Sequence, residues 1–125
     1  MKIIPRFFHG VLDYMTGLLL LLSPNLLGFS EAGGAAVWVP RIAGLIILLQ
    51  AMTTDYELGV IKMIPIKTHL MADYVLAAFL LVSPWLFGFS DRSQMATIMV
   101  VIAGCLVGGT TLMTQPVGRP RKVMA

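Results

Sequence analysis

Shifted by 60 positions and aligned without gaps, residues 2–30 of this chain reappear as residues 62–90, with 14 of the 29 positions identical. The shared residues include His9/His69, Asp13/Asp73, Tyr14/Tyr74, Ser23/Ser83, Pro24/Pro84, Gly28/Gly88 and Phe29/Phe89. The second halves of the units match more weakly, chiefly through Ile42-Ala43-Gly44 and Ile102-Ala103-Gly104. A unit of about 60 residues exceeds the usual solenoid period and suits a pair of helices. The chain therefore divides into a first unit at 1–60, a second at 61–114 and a basic tail at 115–125.

Composition places those helices in a bilayer. The chain is 58% hydrophobic and 12% charged, with a mean hydropathy of +0.87, far from the roughly 45–50% apolar and 25% charged of soluble domains. Stretches near 9–28, 35–54, 69–88 and 95–114 each offer enough apolar length to cross a hydrocarbon core of ~30 Å. The predicted fold is all-α: four transmembrane helices built as two two-helix repeats. Lys2 and Arg6 before an apolar run also fit a signal peptide, but residues 62–90 carry the same pattern inside the chain. Seven of the nine basic residues fall on one side of the predicted spans, which is the cytoplasmic side by the positive-inside rule. Both termini are then cytoplasmic, and the repeats are parallel, related by a pseudo-twofold axis along the membrane normal. We expect a multi-pass protein of a bacterial inner membrane, with the lipid bilayer as its partner. The net charge of +3 follows from loop bias and calls for no nucleic acid.

Proline punctuates both units alike. Pro24 and Pro84 cannot donate to Leu20 and Leu80 and clash with those carbonyls, so the first helix of each unit is expected to kink or end close to the Ser-Pro, as a helix break. Ser23 and Ser83 are placed to bond the freed carbonyls. Trp85 suits an interfacial anchor; its counterpart is Asn25. With its placement near the end of the first helix of a tandem two-helix unit, Ser83-Pro84-Trp85 resembles the SPW-repeat family of small integral membrane proteins, over nearly the whole chain. The resemblance implies a membrane location and a two-plus-two helix architecture, and it implies no activity. In the fourth helix Gly104 and Gly108 form a G-x-x-x-G face, which serves either the seams of one bundle or a homo-oligomer. Cys105, the sole cysteine, reads as a buried packing residue.

His9 and Asp13 stand four apart, as do His69 and Asp73, so each pair shares a helix face and can touch. Tyr14 and Tyr74 lie about 100° round the helix from the acids. On the second and fourth helices Gln50, Thr53, Thr54, Thr110, Thr111 and Thr114 occupy similar depth. An acid inside the hydrocarbon edge should face the bundle interior and hold a partner, with the histidine of its own helix as the nearest. Four readings share this layer. It pins helices together; it binds a small ligand or exchanges protons; His9, Asp13, His69 and Asp73 hold a metal, since N and O donors suit Zn, Fe or Mn; or His9 and His69 ligate a haem. An acid one turn above each histidine would lie against the porphyrin. A cofactor is not expected. No nucleophile elbow, phosphate loop or Cys-His dyad is present, so the reading is of a non-enzymatic binding, sensing or membrane-assembly protein, with a metal- or haem-dependent redox or enzymatic protein as the alternative. Arg41, whose counterpart is Val101, reads as a side chain snorkelling to the outer headgroups.

Overall fold

The computed structural model describes residues 5–54 and 58–114. Lys2 and the basic tail at 115–125, which carry part of the orientation argument, lie outside the described residues. Four helices follow in order: α1 (Arg6–Leu26), α2 (Ala35–Thr53), α3 (Ile66–Leu86) and α4 (Gln94–Met113). All four are long and apolar enough to cross a membrane. The chain is an all-α, multi-pass integral membrane protein.

α1 packs chiefly on α2 and α3 chiefly on α4; contacts between α1 and α4, α2 and α3, and α2 and α4 close the bundle. α1 and α3 are not among the main packing pairs, and they reach each other through side chains that meet in the interior. The core uses equivalent positions of the two units: Leu20 with Leu80, Phe29 with Phe89, Ala36 with Ala96, and Ala43 with Ala103 are all buried.

Small residues set the seams, as packing in lipid requires. A Cβ on Gly44 would stand 2.5 Å from the Gly17 carbonyl oxygen and 2.6 Å from the Leu21 nitrogen, so α1 and α2 touch backbone to backbone there. Gly104 and Gly108 face α3 of the same chain, against Leu81 and Ala77. The G-x-x-x-G thus serves an internal seam.

The prolines sit in the last turn of α1 and α3, and each helix continues two residues past its proline to Leu26 or Leu86. Each helix thus ends close to its Ser-Pro. The freed carbonyls are satisfied as expected, with Ser23 Oγ donating to Leu20 O and Ser83 Oγ to Leu80 O, both at 2.9 Å. Gly28 and Gly88 take φ of 77° and 73°, which turns the chain as a left-handed cap.

Cys105 departs from expectation by lying exposed on α4. The inward stripe of α4 runs through Ala96, Val100, Ala103, Val107 and Thr111, and position 105 falls off that stripe toward lipid. Arg41 donates to Asn25 Oδ1 at 2.7 Å. Two places where the first unit departs from the second, Asn25 for Trp85 and Arg41 for Val101, therefore form one contact.

Candidate functional site

At the end of the bundle where α1 and α3 begin and α2 and α4 finish, His9, Asp13, His69 and Asp73 converge. Prolines precede both α1 and α3, at Pro5 and Pro65, and fix the extended approach to each helix. The i, i+4 spacing then stacks each histidine and acid on the inward face. All four residues are 1–3% exposed.

The four contact atoms form a ring. His9 Nε2 lies 2.9 Å from Asp73 Oδ2 and 3.2 Å from Asp13 Oδ2. His69 Nε2 lies 2.8 Å from Asp13 Oδ2 and 3.2 Å from Asp73 Oδ2. Each acid thus lies closest to the histidine of the other repeat, where the spacing argument had named its own-helix partner. Helix geometry holds an i, i+4 pair at fixed height, whereas side chains from facing helices meet head-on at the bundle centre.

The threonines fix the ring nitrogens. Thr54, just past α2, meets His69 Nδ1 at 2.6 Å, and Thr114, just past α4, meets His9 Nδ1 at 2.7 Å. Each threonine hydroxyl donates to the carbonyl four residues back, Gln50 O or Thr110 O. The hydroxyl proton being committed there, the threonine oxygen accepts from the imidazole, which assigns a proton to Nδ1 and turns Nε2 toward the carboxylates. A return of the chain after α2 helps place Thr54, since Ile64 N donates to Thr53 O and Thr54 and Ile64 form a short parallel bridge.

One element breaks the symmetry. Thr111 Oγ1 donates to Asp73 Oδ2 at 3.3 Å, whereas position 51, the equivalent on α2, is a buried alanine. Asp73 therefore has one more donor than Asp13.

Other members of the predicted polar layer go elsewhere. Tyr14 leaves the ring and donates to Leu58 O at 2.8 Å, tying the α2–α3 connection to α1. Tyr74 is 40% exposed. Thr53 and Thr110 bond carbonyls of their own helices, and among the described residues the buried Gln50 Oε1 has no hydrogen-bond partner. A haem between α1 and α3 does not fit: the imidazole centroids are 5.5 Å apart at 78°, and both carboxylates fill the space a porphyrin would need.

A family model for the SPW repeat domain matches residues 7–114, which takes in all four helices and the whole ring. The chain belongs to the SPW repeat family. No curated protein matches it, and no solved structure does. The Ser-Pro-Trp element from which the resemblance started lies at the far end of the bundle from the His-Asp ring, at Ser83 to Trp85 near the end of α3. In this SPW repeat protein Ser83 and Pro84 are buried near the end of α3, while Trp85 is 63% exposed. Sequence reasoning named all four ring residues. It placed Thr54, Thr111 and Thr114 only at similar depth, because their role depends on which helix faces which.

Proposed function

We propose that this protein binds one divalent transition-metal ion inside the membrane, in a site made by His9, Asp13, His69 and Asp73, and that it acts by binding and sensing. The observation that supports this is the ring itself. Four potential ligand atoms, one per residue, lie within 4.8 Å of one another, with contacts of 2.8–3.2 Å around the ring. Ligands held at ~2.1 Å from a common ion stand roughly 3.0–3.4 Å apart, from square to tetrahedral geometry. Two imidazoles and two carboxylates suit Zn, Fe or Mn. The Nδ1–H groups of both histidines donate to Thr54 and Thr114, the outer support that a metal-binding histidine uses to aim Nε2.

Charge favours an exchange. Two imidazolium and two carboxylate groups sum to zero, and two neutral imidazoles, two carboxylates and a divalent ion also sum to zero. A low-dielectric site thus trades two Nε2 protons for one ion with no change in net charge, which avoids the penalty of a lone buried charge. In our reading the site lies near the cytoplasmic face of a bacterial inner membrane with both termini inside, as the clustering of basic residues supports.

A second reading rests on the direct contacts that join the two repeats, His9 with Asp73 and His69 with Asp13: a structural clasp. Chelator-treated protein in detergent, titrated with zinc or manganese chloride, separates the two. Metal binding predicts one ion per chain and a thermal shift that weakens as pH falls, because protons compete for the ligands. It also predicts that Asp13→Asn and Asp73→Asn lose the ion while still folding. No saturable uptake of zinc, manganese or iron by the parent leaves the clasp. Labelling from outside intact cells checks the orientation: cysteines at Gly33 and Ser93 should react, and one at Lys62 should not.

A further inference from the structure

Toward the end of the bundle remote from the His-Asp ring, Arg41 donates through Nη2 to Asn25 Oδ1 at 2.7 Å. Arg41 stands six residues past Ala35, the start of α2, which is roughly 9 Å along the helix at ~1.5 Å per residue. A guanidinium that far into an apolar span is costly and calls for a partner. Asn25 is neutral, so it orients the group without cancelling its charge. Among the described residues, no carboxylate lies within ion-pair distance of Arg41.

The pair has donors to spare and a surface to place a ligand on. A guanidinium carries five N–H donors and an asparagine amide two, and the bond between the side chains uses one of them. Asn25 is exposed and Arg41 half-buried. One turn deeper toward the middle of the spans the surface is apolar: Leu22, before Asn25 on α1, is 42% exposed, and Leu45, after Arg41 on α2, is 47% exposed. Charge and donors therefore lie nearer the membrane surface, with apolar side chains beneath them. A phospholipid presents its phosphate and its acyl chains in that order. The second repeat is an internal comparison, since Trp85 and Val101 stand in place of Asn25 and Arg41 and offer neither the charge nor the amide.

We infer that Arg41 and Asn25 bind the phosphodiester of an anionic phospholipid in the leaflet remote from the ring, with an acyl chain lying over Leu22 and Leu45. The planar fork of arginine suits a phosphate because it can bond two oxygens at once. Net charge selects among lipids. The single negative charge of phosphatidylglycerol cancels that of Arg41, whereas phosphatidylcholine brings a cation of its own beside its phosphate. The inference is independent of the metal reading, since neither residue takes part in the ring.

The test uses the full chain in detergent, with native mass spectrometry counting bound lipid as phosphatidylglycerol or phosphatidylcholine of the same acyl chains is added. Phosphatidylglycerol should fill one site per chain that Arg41→Gln weakens about tenfold or more, as loss of hydrogen bonds to a charged group does, and phosphatidylcholine should bind the parent more weakly. Asn25→Trp, which copies the second repeat, should weaken the same site, and Arg41→Lys, which keeps the charge but not the fork, should fall between parent and Arg41→Gln. Lys67→Gln, an exposed cation at the ring end, should leave the site unchanged. If Arg41→Gln does not fold, Asn25→Trp and the comparison of the two lipids decide alone. Equal binding of the two lipids by the parent, or equal losses in Arg41→Gln and Lys67→Gln, would show attraction to basic residues at large and overturn the proposal. Displacement of the bound lipid by millimolar inorganic phosphate would assign the site to a free anion and overturn the lipid as its occupant.

Discussion

His69 Nε2 lies 2.8 Å from Asp13 Oδ2, a residue 56 positions away, and 3.2 Å from Asp73 Oδ2 one turn along its own helix. The closer bond joins two helices that are not a main packing pair, so the ring ties α1 to α3. Removing one partner of a buried charged pair leaves the other uncompensated, at roughly 3–5 kcal/mol. His69→Ala should destabilise the protein by about 3 kcal/mol, with part of the loss recovered when Asp13→Asn is added. In double-mutant cycles read by thermal unfolding in detergent, the cross-repeat pair should show larger coupling than the His69–Asp73 pair. Equal coupling would mean that the four residues act as one undivided cluster.

Thr54 and Thr114 hold the imidazoles from behind, and valine keeps their shape while removing the oxygen. Each Thr→Val change should then cost roughly 1–3 kcal/mol for a buried Nδ1–H left without an acceptor. It should also weaken metal binding by about 10- to 100-fold, as loss of outer-shell support does. Thr→Ser at the same positions should restore both, because the serine oxygen can accept the same bond. Isothermal titration beside thermal unfolding reads the two effects separately.

Asp13 and Asp73 are equivalent in sequence but not in their surroundings. Thr111 donates to Asp73, and Ala51 occupies the matching place near Asp13. Thr111→Val should therefore cost about 1 kcal/mol, and Ala51→Thr should be tolerated best if its hydroxyl reaches Asp13. Unfolding midpoints for Asp13→Asn and Asp73→Asn are expected to differ. Identical midpoints would show that the Thr111 contact at 3.3 Å adds nothing.

The glycines separate backbone contact from ordinary packing. Gly44→Ala would push a methyl group into the backbone of α1 at Gly17 and Leu21, whereas the Gly108 Cβ would meet Ala77 Cβ at 3.3 Å. The first change should cost about 1–3 kcal/mol as overpacking, and the second less, because it meets one methyl carbon at 3.3 Å where Gly44 meets backbone atoms at 2.5 and 2.6 Å. Helicity and unfolding temperature of both variants in detergent check the ranking.

The 60-residue repeat and the four apolar spans were legible in the sequence because hydrophobic length and self-similarity are properties of the chain alone. The inward aim of His9, Asp13, His69 and Asp73 was legible for the same reason, as a four-residue spacing on an apolar helix leaves a buried acid little choice of direction. The sequence could not say that Asp13 pairs most closely with His69, that Thr114 and not Tyr14 completes the His9 environment, or that Arg41 meets Asn25. Those choices depend on which helices face each other and at what height, and that is set by side-chain packing and by backbone contacts such as Gly17 with Gly44. Pro24 and Pro84 show the boundary at a single residue type: their sequence foretells a disturbed helix, but only the tertiary structure carries each helix two residues further. It does so because Ser23 and Ser83 satisfy the orphaned carbonyls and Gly28 and Gly88 turn the chain. The sequence by itself thus determined the solvent, the element count and the residues of the polar ring, while the tertiary structure decided their partners, because those depend on contacts between segments far apart in the chain.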